Sequence, residues 1–93
     1  MNQEDQLRRG NRAAVLLDDE LIKEAFEVIE GECIKQWRAA PARDTEGREH
    51  IWMMLKLTDR LKAHLESVLN TGKITDKQIA LLEKESKISR IFK

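Results

Sequence analysis

The one proline of the chain, Pro41, stands in the run Arg38-Ala39-Ala40-Pro41-Ala42-Arg43-Asp44-Thr45-Glu46-Gly47. A residue that precedes proline is pushed out of the helical region, so a helix arriving from the N-terminal side must stop at Ala40. Asp44, or Thr45 in its place, can accept hydrogen bonds from the exposed N–H groups of a new helix. The run therefore reads as the bend between two long amphipathic helices, with Trp37 before it and Trp52 after it. Similar distances from the bend bring the two tryptophans to one level of an antiparallel hairpin, where they bury a large area together. The alternative is an exposed aromatic platform beside Arg38, Arg43 and Arg48, suited to stacking on nucleotides.

Hydrophobic spacing extends both helices. Ile22, Phe26, Ile29, Cys33, Trp37 and Ala40 recur at steps of three and four, which places them on one face of a helix beginning between Ala13 and Asp18. Asp18 and Asp19 suit a cap or a first turn, and Ala13–Leu17 is either an earlier turn of this helix or a separate sticky segment. After the bend, Ile51, Met54, Thr58, Leu61, Leu65 and Val68 repeat the spacing of a coiled-coil seam. Gly72 is placed to end that helix in a left-handed conformation. Thr75-Asp76-Lys77-Gln78 has the form of a capping box, flanked by Ile74 and Ile79 as a hydrophobic staple, and predicts a short third helix. The expected architecture is all-α: a flexible basic arm over residues 1–12, an antiparallel hairpin of two long helices over 13–72, and a short helix with a basic C-terminal arm over 73–93.

Ninety-three residues allow one domain with a thin core, and chains of this size often complete their cores by oligomerisation or by docking on a larger body. Only 4% of residues are aromatic, and one proline and four glycines are too few turn formers for an all-β fold. The net charge is zero but unevenly spread. Residues 18–32 hold seven acids against one base, a net of −6, and residues 33–93 hold thirteen bases against eight acids, a net of +5. An acidic stretch and a basic remainder can pair with copies of the same chain or with a complementary partner, although most such charges simply solvate helix faces. No apolar run approaches the length of a membrane span, and the start lacks the profile of a signal peptide. A soluble protein made inside the cell is expected.

No constellation of catalytic residues emerges. Asn70-Thr71-Gly72-Lys73 lacks the first glycine and the preceding strand of a phosphate-binding loop. His50 and His64 are fourteen residues apart, about 21 Å along one helix, too far to share a metal ion. Cys33, the single cysteine, sits on the apolar stripe and suits a small core residue better than a nucleophile. No enzyme activity, metal or cofactor is expected. Arg8, Arg9 and Arg12, with Lys84, Lys87, Arg90 and Lys93, could contact nucleic acid phosphates, but the neutral chain and its acidic helix oppose a wide phosphate contact.

The run from Trp37 to Trp52, with its Asp44-x-x-x-Arg48-Glu49 motif, and the later Leu65-Glu66-Ser67-Val68-Leu69-Asn70-Thr71-Gly72-Lys73 resemble a family of small α-helical proteins of tailed bacteriophages. The resemblance covers about residues 20–74 and implies a place among head and packaging genes, hence a role in the virion or its assembly, in the virion itself or the host cytoplasm. It carries over no catalytic residues. A non-enzymatic structural or assembly protein is expected, acting by helix packing against a larger phage structural protein, copies of itself, or both, and not on a membrane. Ile22, Phe26, Ile29, Trp37, Ile51, Trp52, Met54, Leu61 and Leu65 are the expected hairpin or oligomer core. Leu16, Leu17, Ile88, Ile91 and Phe92 are expected partner anchors, because their segments cannot bury them locally. Two other functions fit less well: a nucleic-acid-associated packaging factor using the basic residues, and a host-enzyme inhibitor using the acidic first helix as a decoy.

Overall fold

A computed structural model describes the backbone of residues 1–91 and the side chains of residues 1–86. Its three helices are α1 (Gln3–Asp18), α2 (Glu20–Ala39) and α3 (Thr45–Ile91), and there is no strand among the described residues. The fold is all-α and elongated. Its extents are 75 × 24 × 19 Å, and its radius of gyration is 21.0 Å, whereas a compact chain of this length has about 12 Å. The long dimension is set by α3, whose 47 residues span about 70 Å at the helical rise.

Local chemistry explains each helix boundary. Asn2 caps α1 by accepting the Asp5 N–H at 2.8 Å, with Glu4 and Asp5 in the first turn where the helix dipole favours carboxylates. The residues expected to form a flexible basic arm are therefore the first three turns of α1. Asp19 alone separates α1 from α2. Its extended backbone (ψ 127°) ends α1 with an N–H to Leu16 carbonyl bond, and its Oδ1 accepts the Leu21 and Ile22 N–H groups that begin α2. One residue thus serves as C-cap and N-cap, so the segment Ala13–Leu17 belongs to a helix of its own. At the bend, Ala40 is extended (ψ 133°), as a residue before proline must be. Asp44 donates its N–H to the Pro41 carbonyl and accepts the Gly47 N–H on Oδ1, which caps α3.

The short third helix is not separate. α3 runs unbroken through Gly72 and Thr75 to Ile91, and no glycine has a positive φ. Gly72 is spent on proximity instead of on a turn. A Cβ on Gly10 would stand 2.8 Å from the Gly72 Cα, and a Cβ on Gly72 would stand 2.8 Å from the Gly10 Cα and 3.2 Å from the Gln6 carbonyl oxygen. Gln6, Gly10 and Ala13 on α1, and Val68, Gly72 and Thr75 on α3, are each spaced four and three apart, so each set shares a face. Thr75, the expected cap, is buried in that contact. Its hydroxyl lies 2.8 Å from Gln6 Oε1 and 2.9 Å from the Thr71 carbonyl, the latter a bond back along its own helix.

α2 meets the other half of α3. Cys33 and Ile51 are buried, and Ile22, Phe26, Leu55, Thr58 and Leu65 are half-buried. Two positions of the seam expected on α3 lie outside the contact with α2. Met54 and Leu61 are exposed, because α2 occupies the stripe through Ile51, Leu55 and Thr58 and leaves its neighbour open. Ile29 and Trp37 are likewise on the edge of the α2 stripe and not inside it.

Alanine is about 1 kcal/mol better than glycine inside a helix, so three of the four helical glycines, Gly10, Gly31 and Gly72, separate contact from propensity. Gly31 has open space where a Cβ would go, and Gly31→Ala should stabilise the protein by about 1 kcal/mol. Gly10→Ala and Gly72→Ala should each destabilise it by about 1–3 kcal/mol, since the added methyl meets backbone that cannot rotate away. Urea unfolding followed by circular dichroism distinguishes the three.

Candidate protein-interaction site

Three apolar regions are candidates for contact, and the first lies at the bend. Ile34, Trp37, Arg38, Trp52 and Leu55 line one open cleft. Trp37 and Trp52 therefore come to one level, as their spacing predicts, yet Trp37 is 41% and Trp52 55% exposed. Arg48 organises this end. Its guanidinium carbon lies 4.7 Å from the Trp37 ring centroid, its Nη2 donates to the Ala40 carbonyl at 2.8 Å, and its Nε donates to the Pro41 carbonyl at 3.2 Å. The Ala40 carbonyl lies just past the end of α2 and the Pro41 carbonyl also accepts the Asp44 N–H, so one side chain covers Trp37 and adds donors at the bend. A local Arg48 pair with Asp44 is absent from the ion pairs of the described residues. Lys56 lies 5.7 Å from the Trp52 ring centroid in the weaker counterpart.

The second region lies where α1 ends. Leu16, with Arg9, Arg12 and Ala13, faces His64, Leu65 and Val68 across a shallow groove. Leu16 is exposed, as expected of an anchor, whereas Leu17 is half-buried beside Phe26, Glu27, Glu30 and Lys62. Leu17 is therefore part of the junction of the three helices.

The third region is α3 beyond the start of α1. Gln6 meets Thr75, so the part of α3 past about residue 79 has no helix beside it, and Leu81 and Leu82 there are 60% and 59% exposed. Ile88 and Ile91, expected anchors on this segment, have side chains outside the described residues, as does Phe92 entirely.

The basic residues do not converge. Arg8 is held by Asp5 at 3.0 Å, and Arg9 and Arg12 lie beside the His64–Val68 stretch. Lys84, exposed, is twelve residues past Gly72, about 18 Å further along α3. The side chains of Lys87 and Arg90 are outside the described residues. His50 and His64 are both exposed and well separated on α3.

Leu21 and Val28, which widen the first stripe, and Leu57, which flanks the second, are exposed, as are Ile74 and Leu82. Met53 and Leu81, which sequence spacing passes over, are exposed as well. Comparison with family models, curated proteins and solved structures finds no match to this chain.

The bend gives a direct test. Arg48→Ala should destabilise the protein by about 1–2 kcal/mol, from two lost hydrogen bonds and a lost cation–π contact. Both tryptophans lie at this end, so denaturation followed by tryptophan fluorescence reports it. Arg48→Lys should recover only part of the loss, because an ammonium cannot cover the ring and both carbonyls with a planar fork.

Proposed function

We propose that this chain is a non-enzymatic structural or assembly protein of a tailed bacteriophage. In this reading it works as an antiparallel helical hairpin, packing against a larger phage protein and against copies of itself. The observation that supports helix-mediated assembly is the balance of surface. The chain exposes 7921 Å², whereas a folded monomer of 10.8 kDa exposes about 5,500 Å². The excess of about 2,400 Å² exceeds the roughly 800 Å² that each partner gives to a standard interface. Apolar side chains contribute heavily to it. Among the described residues, Ala13, Cys33 and Ile51 are the buried apolar ones, against sixteen large hydrophobic residues that are exposed. Such a ratio suits a component whose core is finished by assembly.

The phage setting rests on the resemblance of residues 20–74, and the placement among virion or assembly proteins follows from it. The nucleic-acid reading has less support, because Lys84 stands about 18 Å further along α3 than Gly72, which meets α1 between Arg9 and Arg12. No helix among the described residues is long and apolar enough to cross a membrane.

Mass spectrometry of purified virions, quantified against the major capsid protein, tests the reading. A fixed copy number per particle is expected. Absence from virions and from assembly intermediates, with the protein abundant in infected cells, would overturn it. Leu16→Ser combined with Leu81→Ser and Leu82→Ser should lower incorporation while leaving the helical content unchanged.

A further inference from the structure

Gly31 stands on the open face of α2. It lies two residues, and so about 200° round the helix, from Cys33, the buried residue of α2, and faces away from α3. Its own helix backbone aside, no atom lies within 4 Å of the place a Cβ would take. Glycine weakens a helix interior, and at Gly10 and Gly72 this chain spends that weakness on bringing two backbones together. At Gly31 the single chain supplies no second backbone.

The residues three, four and seven positions from Gly31 share its face and form two edges. At about 100° per residue, Glu24, Val28 and Lys35 lie about 20–60° to one side of Gly31, and Glu27, Ile34 and Arg38 lie about 20–60° to the other. All six are exposed, and none of the four charges forms an ion pair among the described residues. Lys23, one turn before Glu27, is taken by Asp18. Each edge therefore runs acid, apolar, base toward the C-terminal end. The helix dipole accounts for Glu20 in the first turn and Arg38 in the last, but it fades before Glu24, Glu27 and Lys35. Within the helix the pattern is unfavourable, since Glu24 follows Glu20 by four residues and like charges repel at that spacing.

The order of charges selects the occupant, because an edge that reads acid, apolar, base is complementary to itself reversed. A second α2 laid parallel would set acids against acids. Laid antiparallel about a twofold axis at Gly31, each edge meets its own reverse. Glu24 then stands about 4.5 Å along the axis from Lys35 of the second copy, and Glu27 about 4.5 Å from Arg38 of the second copy. Val28 and Ile34 flank the centre, where the missing side chains at Gly31 let the two helices approach closely. We propose that α2 pairs with α2 of a second copy, antiparallel across Gly31, in a dimer with the helix order α3–α2–α2–α3. Leu81 and Leu82 stay open in this dimer for a larger partner. The pairing rests on the self-association in the reading above and not on the phage resemblance.

Sedimentation equilibrium of the full chain tests it, with a reversible dimer expected. Gly31→Gln should stabilise the single chain, because glutamine is the better helix former, and should weaken the dimer about tenfold or more. Urea unfolding at concentrations where the chain is monomeric reads the first effect, as it reads the gain from Gly31→Ala. Loss of the dimer from a more stable chain is no folding defect. The charge variants E24K/E27K and K35E/R38E should each weaken the dimer about tenfold or more at low salt. Mixed together they should form a heterodimer tighter than either homodimer, because one copy then offers bases at all four positions and the other offers acids. A wild-type chain that stays monomeric up to millimolar concentration would overturn the proposal and leave the face to a larger protein. A dimer that tolerates Gly31→Gln, or that ignores both charge variants, would also overturn it. Virion incorporation is measured separately and can fail while the dimer stands.

Discussion

The contact on which the rest of the structure depends is the meeting of two backbones at Gly10 and Gly72. With a 2.8 Å approach between an added Cβ and the facing Cα, neither position has room for any side chain. The closeness has consequences on both helices. It brings Gln6 within reach of Thr75, buries Ala13, and gives the polar sixteen-residue α1 a surface it could not find alone. Helices of that length are marginal in water without tertiary support. The support is mutual, since Gly72 and Thr75 lie in a part of α3 that carries few apolar residues of its own. The sharing of Thr75 between its own helix and Gln6 ties the axial register of α1 to that of α3.

The two ends of the molecule are held by different physics. At the α1 end the helices are close and the residues between them small. At the bend end, the aromatic rings and long side chains around Arg48 hold α2 to α3 with more separation and more exposed apolar surface. The junction between these regimes is Asp19, where one carboxylate starts α2 and one backbone N–H finishes α1. Lys23 reaches back across the junction to Asp18 at 3.2 Å. That pair is exposed and worth little by itself. It does, however, set a cation beside the acidic end of α1, where the helix dipole is negative.

Much of the bend was legible in the sequence, because its chemistry is local. Pro41 excludes a helix at Ala40, Asp44 has one plausible job, and the tryptophans are placed by counting. The C-terminal half was misread because the same residues serve two rules. Glycine marks a helix end, but it also marks a place where another backbone comes close, and only a partner helix decides between them. Thr75 and Gln78 have the spacing of a capping box, yet a cap is useful only where the preceding residues leave the helix. Continuous α3 supplies Thr75 with a carbonyl at Thr71 instead. The polar start was read as mobile because burial was sought in large side chains, whereas α1 is anchored by Gly10 and Ala13. Met54 and Leu61 stay open within the single chain for a different reason. A helix with two adjacent apolar stripes does not say which one its own chain will use.

An unbroken α3 also works as a ruler. Trp52 and Leu81 are twenty-nine residues apart on it, which is about eight turns. They therefore project in nearly the same direction, separated by about 44 Å. A body that touches both must carry two receptive spots at that pitch and on one line of sight. An insertion of two residues between them would lengthen the gap by only about 3 Å but swing one contact round by roughly 200°. For such a rod, angular phase discriminates between surfaces more sharply than distance does.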